Sequence, residues 1–240
     1  MERRKLAIGF VSLAVVPFAS AGFVPVDFGT HYNRRMQVRN AQYPEGQVTL
    51  GGVPFDIPVG VDNEWGSGDG IGGGGGNDGQ WTLELDVSIV NAETVYMLIN
   101  TDWGTTQSGR MLIDFFGSDG AHAQWDLVGN DDIRDWSGNF TNTINGTTTV
   151  NVFTDPDGQG GNPDYLDMVR FDLPADFQGQ TLQTIRVTDN RQTFVHSGIV
   201  SGITVDNNEP CSPADIAPPF GVLDLNDLNA FVTDFLAGCP

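Results

Sequence analysis

The sequence predicts an all-β chain: one sandwich of two antiparallel sheets over residues 22–207, followed by a small disulfide-clasped loop–helix tail over 208–240. Three observations carry this. In Trp81–Ile89 the apolar Trp81, Leu83, Leu85, Val87 and Ile89 share one face, and Thr82, Glu84, Asp86 and Ser88 share the other, the period-two pattern of a half-buried strand. Short β-rich segments recur between Gly, Asp, Asn and Pro turns. The 240 residues include 31 glycines, and no amphipathic helical stretch falls between residues 22 and 207.

Taken in order, the elements begin with a targeting segment. Arg3, Arg4 and Lys5 precede the apolar Leu6–Phe18, and Ala19-Ser20-Ala21 supplies a small-residue cleavage site, so residues 1–21 read as a signal peptide. The apolar run is too short to span a bilayer and is broken by Pro17. Strands are expected at 47–50, 53–57, 81–89, 94–100, 110–116, 121–127, 147–153, 165–173, 181–188 and 199–205. Residues 66–79 are mostly glycine with no lysine and no following helix, which excludes a phosphate loop and predicts a surface loop. Asn207–Pro210 reads as a linker.

Charge and cysteines bound the setting. The chain carries 11 basic and 31 acidic residues; without residues 1–21, which hold three basic and one acidic residue, the net charge is −22 and no lysine remains. Nucleic acid and anionic membranes are poor partners for such a chain, because both demand cationic patches. Export implies an oxidising compartment, in which Cys211 and Cys239 pair as a disulfide. That bridge would stabilise the tail by about 3–4 kcal/mol in the chain-entropy account.

Three places hold residues suited to a ligand. Trp103 and Trp136 lie in turn-like contexts, and Arg134 and Asp135 beside Trp136 are suited to sugar hydroxyls, so these four residues are the expected carbohydrate site. The alternative is tryptophans that cover the sandwich ends. Asp155, Asp157, Asp164 and Asp167, with Asn162 and Gly158 between them, form a calcium candidate; the alternative is a polar turn. In the tail, Asp215, Asp224 and Asp227 are calcium-ligand candidates ahead of a helix over 225–237. That helix carries Leu225, Leu228, Phe231, Val232, Phe235 and Leu236 on one stripe and is capped by Asp224 or Asn226. No G-x-S-x-G elbow occurs, and His31, His122 and His196 have no metal-ligand spacing, so nothing marks an enzyme.

The segment Cys211–Cys239, with carboxylates, a glycine turn and a short helix, resembles the dockerin-like tail, sometimes called GC-type, of secreted bacterial proteins. The resemblance implies retention by a protein receptor and a calcium loop. Ala217 and Pro219 depart from that pattern where side-chain oxygens belong, which leaves a metal-free, disulfide-held turn as the other reading. Val48–Ile57 (VTLGGVPFDI), Val95–Gly104 (VYMLINTDWG), Phe116–Gly120 (FGSDG), Asn130–Trp136 (NDDIRDW) and Gly202–Thr204 (GIT) resemble a secreted bacterial β-sandwich family of the galactose-binding or carbohydrate-module type. That resemblance implies a jelly-roll sandwich and, more loosely, glycan binding. The expectation is a secreted or cell-surface, non-catalytic protein that binds a polysaccharide or surface glycan. A structural or adhesive protein without a small ligand is the alternative, and a polysaccharide-active enzyme is a further one.

Overall fold

All ten expected strand segments are strands in the computed structural model, with ends within two residues of the reading. The structure describes residues 22–67, 81–102, 106, 108–109, 111–138, 143–190, 197–207 and 224–236. Residues 1–21, most of the glycine-rich stretch, 208–223 and 237–240 lie outside them. In chain order the strands are β1 (Phe23–Pro25), β2 (Gly46–Leu50), β3 (Val53–Ile57), β4 (Trp65–Gly66), β5 (Thr82–Val90), β6 (Thr94–Asp102), β7 (Met111–Gly117), β8 (His122–Leu127), β9 (Thr149–Asp155), β10 (Asp164–Asp172), β11 (Thr181–Asp189) and β12 (Ser197–Asp206), followed by one helix, α1 (Leu225–Leu236). Sequence reading missed only β1 and β4, which are too short to show a period.

Two antiparallel sheets form the sandwich. Sheet one runs β1-β12-β6-β10-β9, with β4 added on β12, and sheet two runs β5-β11-β7-β8. Between them Val95, Met97 and Ile99 of β6 meet Leu83 and Leu85 of β5 and Phe115 of β7. The expected alternation of β5 holds: Leu83, Leu85 and Ile89 are buried, and Thr82, Glu84, Asp86 and Ser88 are exposed. Val87 is half-buried because a bulge sets the register to Ile89↔Leu182 and then Asp86↔Thr184, turning the intervening residues off the ladder. Trp81 is also half-buried, just ahead of the strand.

The β2–β3 hairpin forms a third layer that a two-sheet reading did not foresee. Gly51 and Gly52 turn it with φ of +58° and +86°, the left-handed pair that a two-residue hairpin turn requires. Its Phe55 and Ile57 pack with Met36 on Leu98, Leu166 and Met168 of sheet one. Thr204 Oγ1 donates to Pro54 O at 2.6 Å across this contact. At Gly202 a Cβ would sit 3.2 Å from both Phe55 Cδ1 and Leu98 Cδ1, so glycine lets the hairpin approach β12 closely. Sheet one is thus covered on both faces, and β12 is buried along almost its whole length. On the outer face of sheet two Glu84, Asp86, His122 and Gln124 are exposed.

Candidate binding site

The segment expected to carry sugar-binding residues folds into the interior. Beyond the pair Met168↔Leu98, β6 and β10 no longer pair with each other, and a loop enters between them. Thr101 N donates to Arg134 O at 2.9 Å, and Trp136 N donates to Thr101 O at 3.0 Å. On the other side Tyr165 N donates to Trp136 O at 2.7 Å. Residues 134–136 therefore act as an inserted piece of sheet one. This is why the expected exposure fails: Trp136 is 2% exposed, Asp135 1% and Arg134 8%. Arg134, Asp135 and Trp136 offer no platform to a glycan. Trp103, the fourth expected residue, lies outside the described residues.

What the loop does instead is satisfy a buried polar network. Arg134 forks onto Asp167, Nε to Oδ2 and Nη2 to Oδ1, both at 2.7 Å, and its guanidinium lies 3.7 Å from the Tyr165 ring centre. Asn100 Nδ2 and Asn151 Nδ2 also donate to the Asp167 carboxylate, at 2.9 and 3.1 Å. Trp136 Nε1 donates to Asp102 Oδ1 at 3.2 Å. Nearby, Arg39 pairs with Glu64 through both carboxylate oxygens, with both side chains fully buried. Burial alone would lower the Arg39 guanidinium, but the Glu64 charge and hydrogen bond, with Tyr43 and Asp102, together hold it above its ordinary value. The Arg39 guanidinium also lies 4.9 Å from the Tyr43 ring centre and 5.2 Å from that of Trp136. The network fastens the N-terminal segment and the inserted loop to sheet one.

Burial raises the Asp102 carboxyl above its ordinary value, against the opposing bond from Trp136. A carboxyl raised on folding contributes stability fully below its unfolded value of about 3.8, and the contribution is lost as pH rises through the folded value. Asp102→Asn keeps an acceptor for the indole and removes the titration. The variant's melting temperature should therefore gain on the parent's as pH rises from about 4 to 8, as read by calorimetry. A flat difference between the two across that range would contradict the assignment.

The acidic turn is partly assembled. Ladder register places Asp155 opposite Asp164, and Asn40 Nδ2 donates to Oδ2 of both at 2.8 Å. Asp157 N donates to Asp155 Oδ1 at 3.1 Å, and Gln159 N donates to Asp164 Oδ2 at 3.1 Å. A side chain at Gly158 would overlap the Asp164 carboxyl. Burial raises Asp164 above the usual carboxylate range. Asp157 is exposed, and Asn162 N donates to Gln159 O at 3.4 Å and its Nδ2 to Gly160 O at 3.5 Å. Asp167 does not join, because Arg134 holds it. Among the described residues no three His, Cys, Asp or Glu side chains converge as a metal would need. Amide donors fill the places between the two carboxylates.

In the tail, Asp224 and Asp227 serve the helix itself. Asn226 N donates to Asp224 Oδ1 at 2.6 Å, and Asp224 N donates to Asp227 Oδ2 at 2.8 Å, a reciprocal capping box. Of the two expected caps, Asp224 and Asn226, it is Asp224 that caps the helix. Leu225, Leu228, Phe231 and Val232 are exposed. Asp215, Cys211 and Cys239 lie outside the described residues.

Among the described residues lies an open cleft that was not expected. It holds about 280 Å³ and is lined by Pro25, Val26, Asp27, Tyr32, Asp56 and Pro58, where β1, the segment after it and the end of the hairpin meet. Asp27 Oδ1 accepts from Gly29 N at 2.9 Å, which fixes the short turn that carries Tyr32. Phe28 is buried and stacks on Tyr32 at 4.9 Å and 15°, so one face of the phenol ring is held by the core. Burial, with Asp27 and Asp56 adding negative charge, raises the Tyr32 hydroxyl above its ordinary value, against an opposing hydrogen bond with the Phe28 backbone. A rigid, half-exposed aromatic beside two exposed carboxylates can pack against an apolar ring face and accept hydrogen bonds from hydroxyls. The local signals were Pro25, Asp27 and Tyr32, but none lies in a periodic segment. Comparison with protein-family models, with curated proteins and with solved structures found no match. Among the described residues no helix is long and apolar enough to cross a membrane.

Proposed function

We propose that this is an exported, non-catalytic β-sandwich that binds a polysaccharide or surface glycan in the Tyr32 cleft and is retained through its C-terminal tail. The observation that carries the reading is the Phe28-backed Tyr32 ring beside Asp27 and Asp56 in the open cleft. Its volume lies near the lower end of the roughly 300–1,000 Å³ usual for small-molecule sites, which suits one sugar unit of a chain passing across it. The strand orders β1-β12-β6-β10 and β5-β11-β7-β8 support a jelly-roll reading, in which two Greek keys are wrapped together. Pairing of Cys211 with Cys239 would clasp the tail, and the exposed stripe on α1 supports a protein receptor for it. Calcium remains a proposal for the tail loop through Asp215, with Asp224 and Asp227 free to serve only if their capping bonds are given up. Burial of Arg134, Asp135 and Trp136 favours the second reading, a structural or adhesive surface protein without a small ligand.

A glycan array followed by affinity electrophoresis of residues 22–240 separates the two readings. Retention by at least one neutral polysaccharide is expected. Tyr32→Ala should weaken it by about 0.5–1.5 kcal/mol, the scale of one aromatic contact, with an unchanged β-sheet circular dichroism spectrum. Absence of retention on every glycan would leave the structural reading in place.

A further inference from the structure

We infer that the Tyr32 cleft selects a sugar bearing a protonated amine, such as an N-deacetylated amino sugar, over its neutral and acidic counterparts. This rests on the proposed glycan-binding reading of the same cleft.

The lining argues for it. Of the six residues that form the cleft, two are carboxylates, one is an aromatic ring and none is cationic. A neutral sugar needs donors as well as acceptors, because its hydroxyls both give and accept hydrogen bonds. The side chains of this cleft offer two charged acceptors and one phenol. An ammonium group on the sugar ring is all donor and fits two acceptors directly. Its charge is also attracted by the face of an aromatic ring. A uronic or sulfated sugar would meet Asp27 and Asp56 with like charge, inside the field of a chain whose full-length net charge is −20, and would be repelled. The hydrogen bond from Gly29 to Asp27 and the stack of Tyr32 on Phe28 hold these groups in place before any ligand arrives, so little ordering is needed on binding.

A short ligand is the right probe, because a cationic polymer would adhere to so acidic a protein anywhere. Titration calorimetry with glucosamine disaccharide, its N-acetylated form and tetramethylammonium, at about pH 6 where an amine of this type is protonated, tests the inference. The deacetylated disaccharide should bind about tenfold more tightly than the acetylated one. Asp27→Asn with Asp56→Asn should abolish that preference, so that the two disaccharides bind alike. Asp27→Asn keeps the acceptor for Gly29 N, so the turn should persist. Asp119→Asn with Asp176→Asn removes the same charge from exposed positions outside the cleft lining and should change nothing. Equal affinity for the two disaccharides, or a preference that survives the cleft variant, overturns the amine inference while the glycan reading stands. Tetramethylammonium binding as tight as the deacetylated disaccharide overturns the sugar part. If no disaccharide binds and no glycan is retained, both the inference and the reading beneath it fail.

Discussion

Glu64→Ala is expected to cost about 3–5 kcal/mol, because it leaves Arg39 buried, charged and unpaired. Both side chains are fully buried, and Glu64 also accepts from Ser201 Oγ at 3.3 Å. Arg39 cannot escape by losing its proton, since a guanidinium stays charged at any working pH. A domain of this size has about 5–15 kcal/mol in total, so the variant should unfold in much less urea than the parent. The double replacement Arg39→Met with Glu64→Leu should recover most of the loss, because the desolvation cost disappears with both charges. The exposed pair Arg170 Nε–Asp172 Oδ1, at 2.7 Å, provides the contrast: Asp172→Ala should cost less than about 1 kcal/mol, since water and salt screen it. Urea midpoints for these three variants and the parent measure all of this. A Glu64→Ala midpoint close to that of Asp172→Ala would mean that water reaches Arg39.

The fold was legible where a strand has one wet face and one dry face. β5 is such a strand: Glu84 and Asp86 point to water and Leu83 and Leu85 to the core. β6 and β12 were legible as apolar runs but not as sheet-one strands covered on both sides, because nothing local says that a hairpin will lie on them. The third layer depends on Phe55 and Ile57 meeting Leu98 and Leu166, contacts distant in sequence. The site was less legible. Asp155 and Asp164 flank one turn, and their approach could be read from its length. Asp167 shares that turn in sequence, but its partner Arg134 lies 33 residues away, and that pair removes it from the acidic group. Trp136 sits among Asp, Ser and Gly residues and is locally a loop. Burial came from the parting of β6 and β10, which no local pattern encodes. Tyr32 was passed over for the opposite reason: a single aromatic outside any strand gives no period to read.

Trp136→Ala is accordingly expected to act on stability and to leave glycan binding alone. The indole is among the largest fully enclosed side chains, at 2% exposure, and truncating a buried Trp costs about 3–5 kcal/mol through lost burial and the cavity left behind. Two further losses add to it. Asp102 Oδ1 gives up its indole donor, and a buried carboxylate without a partner is expensive. Arg39 gives up one of the two rings it lies against. The backbone bonds that insert the loop, from Trp136 N to Thr101 O and from Tyr165 N to Trp136 O, do not need the side chain, so the damage should begin as local opening. Hydrogen exchange at the amides of Trp136 and Tyr165 should accelerate more than at Val187 or Ile113, which lie in the centre of sheet two. Trp136→Phe keeps much of the volume but not the donor, and should fall between parent and alanine variant. Where Trp136→Ala remains folded, its retention by a glycan that Tyr32→Ala fails to hold should match the parent. Loss of retention in a folded Trp136→Ala protein would return the binding site to the inserted loop and away from the Tyr32 cleft.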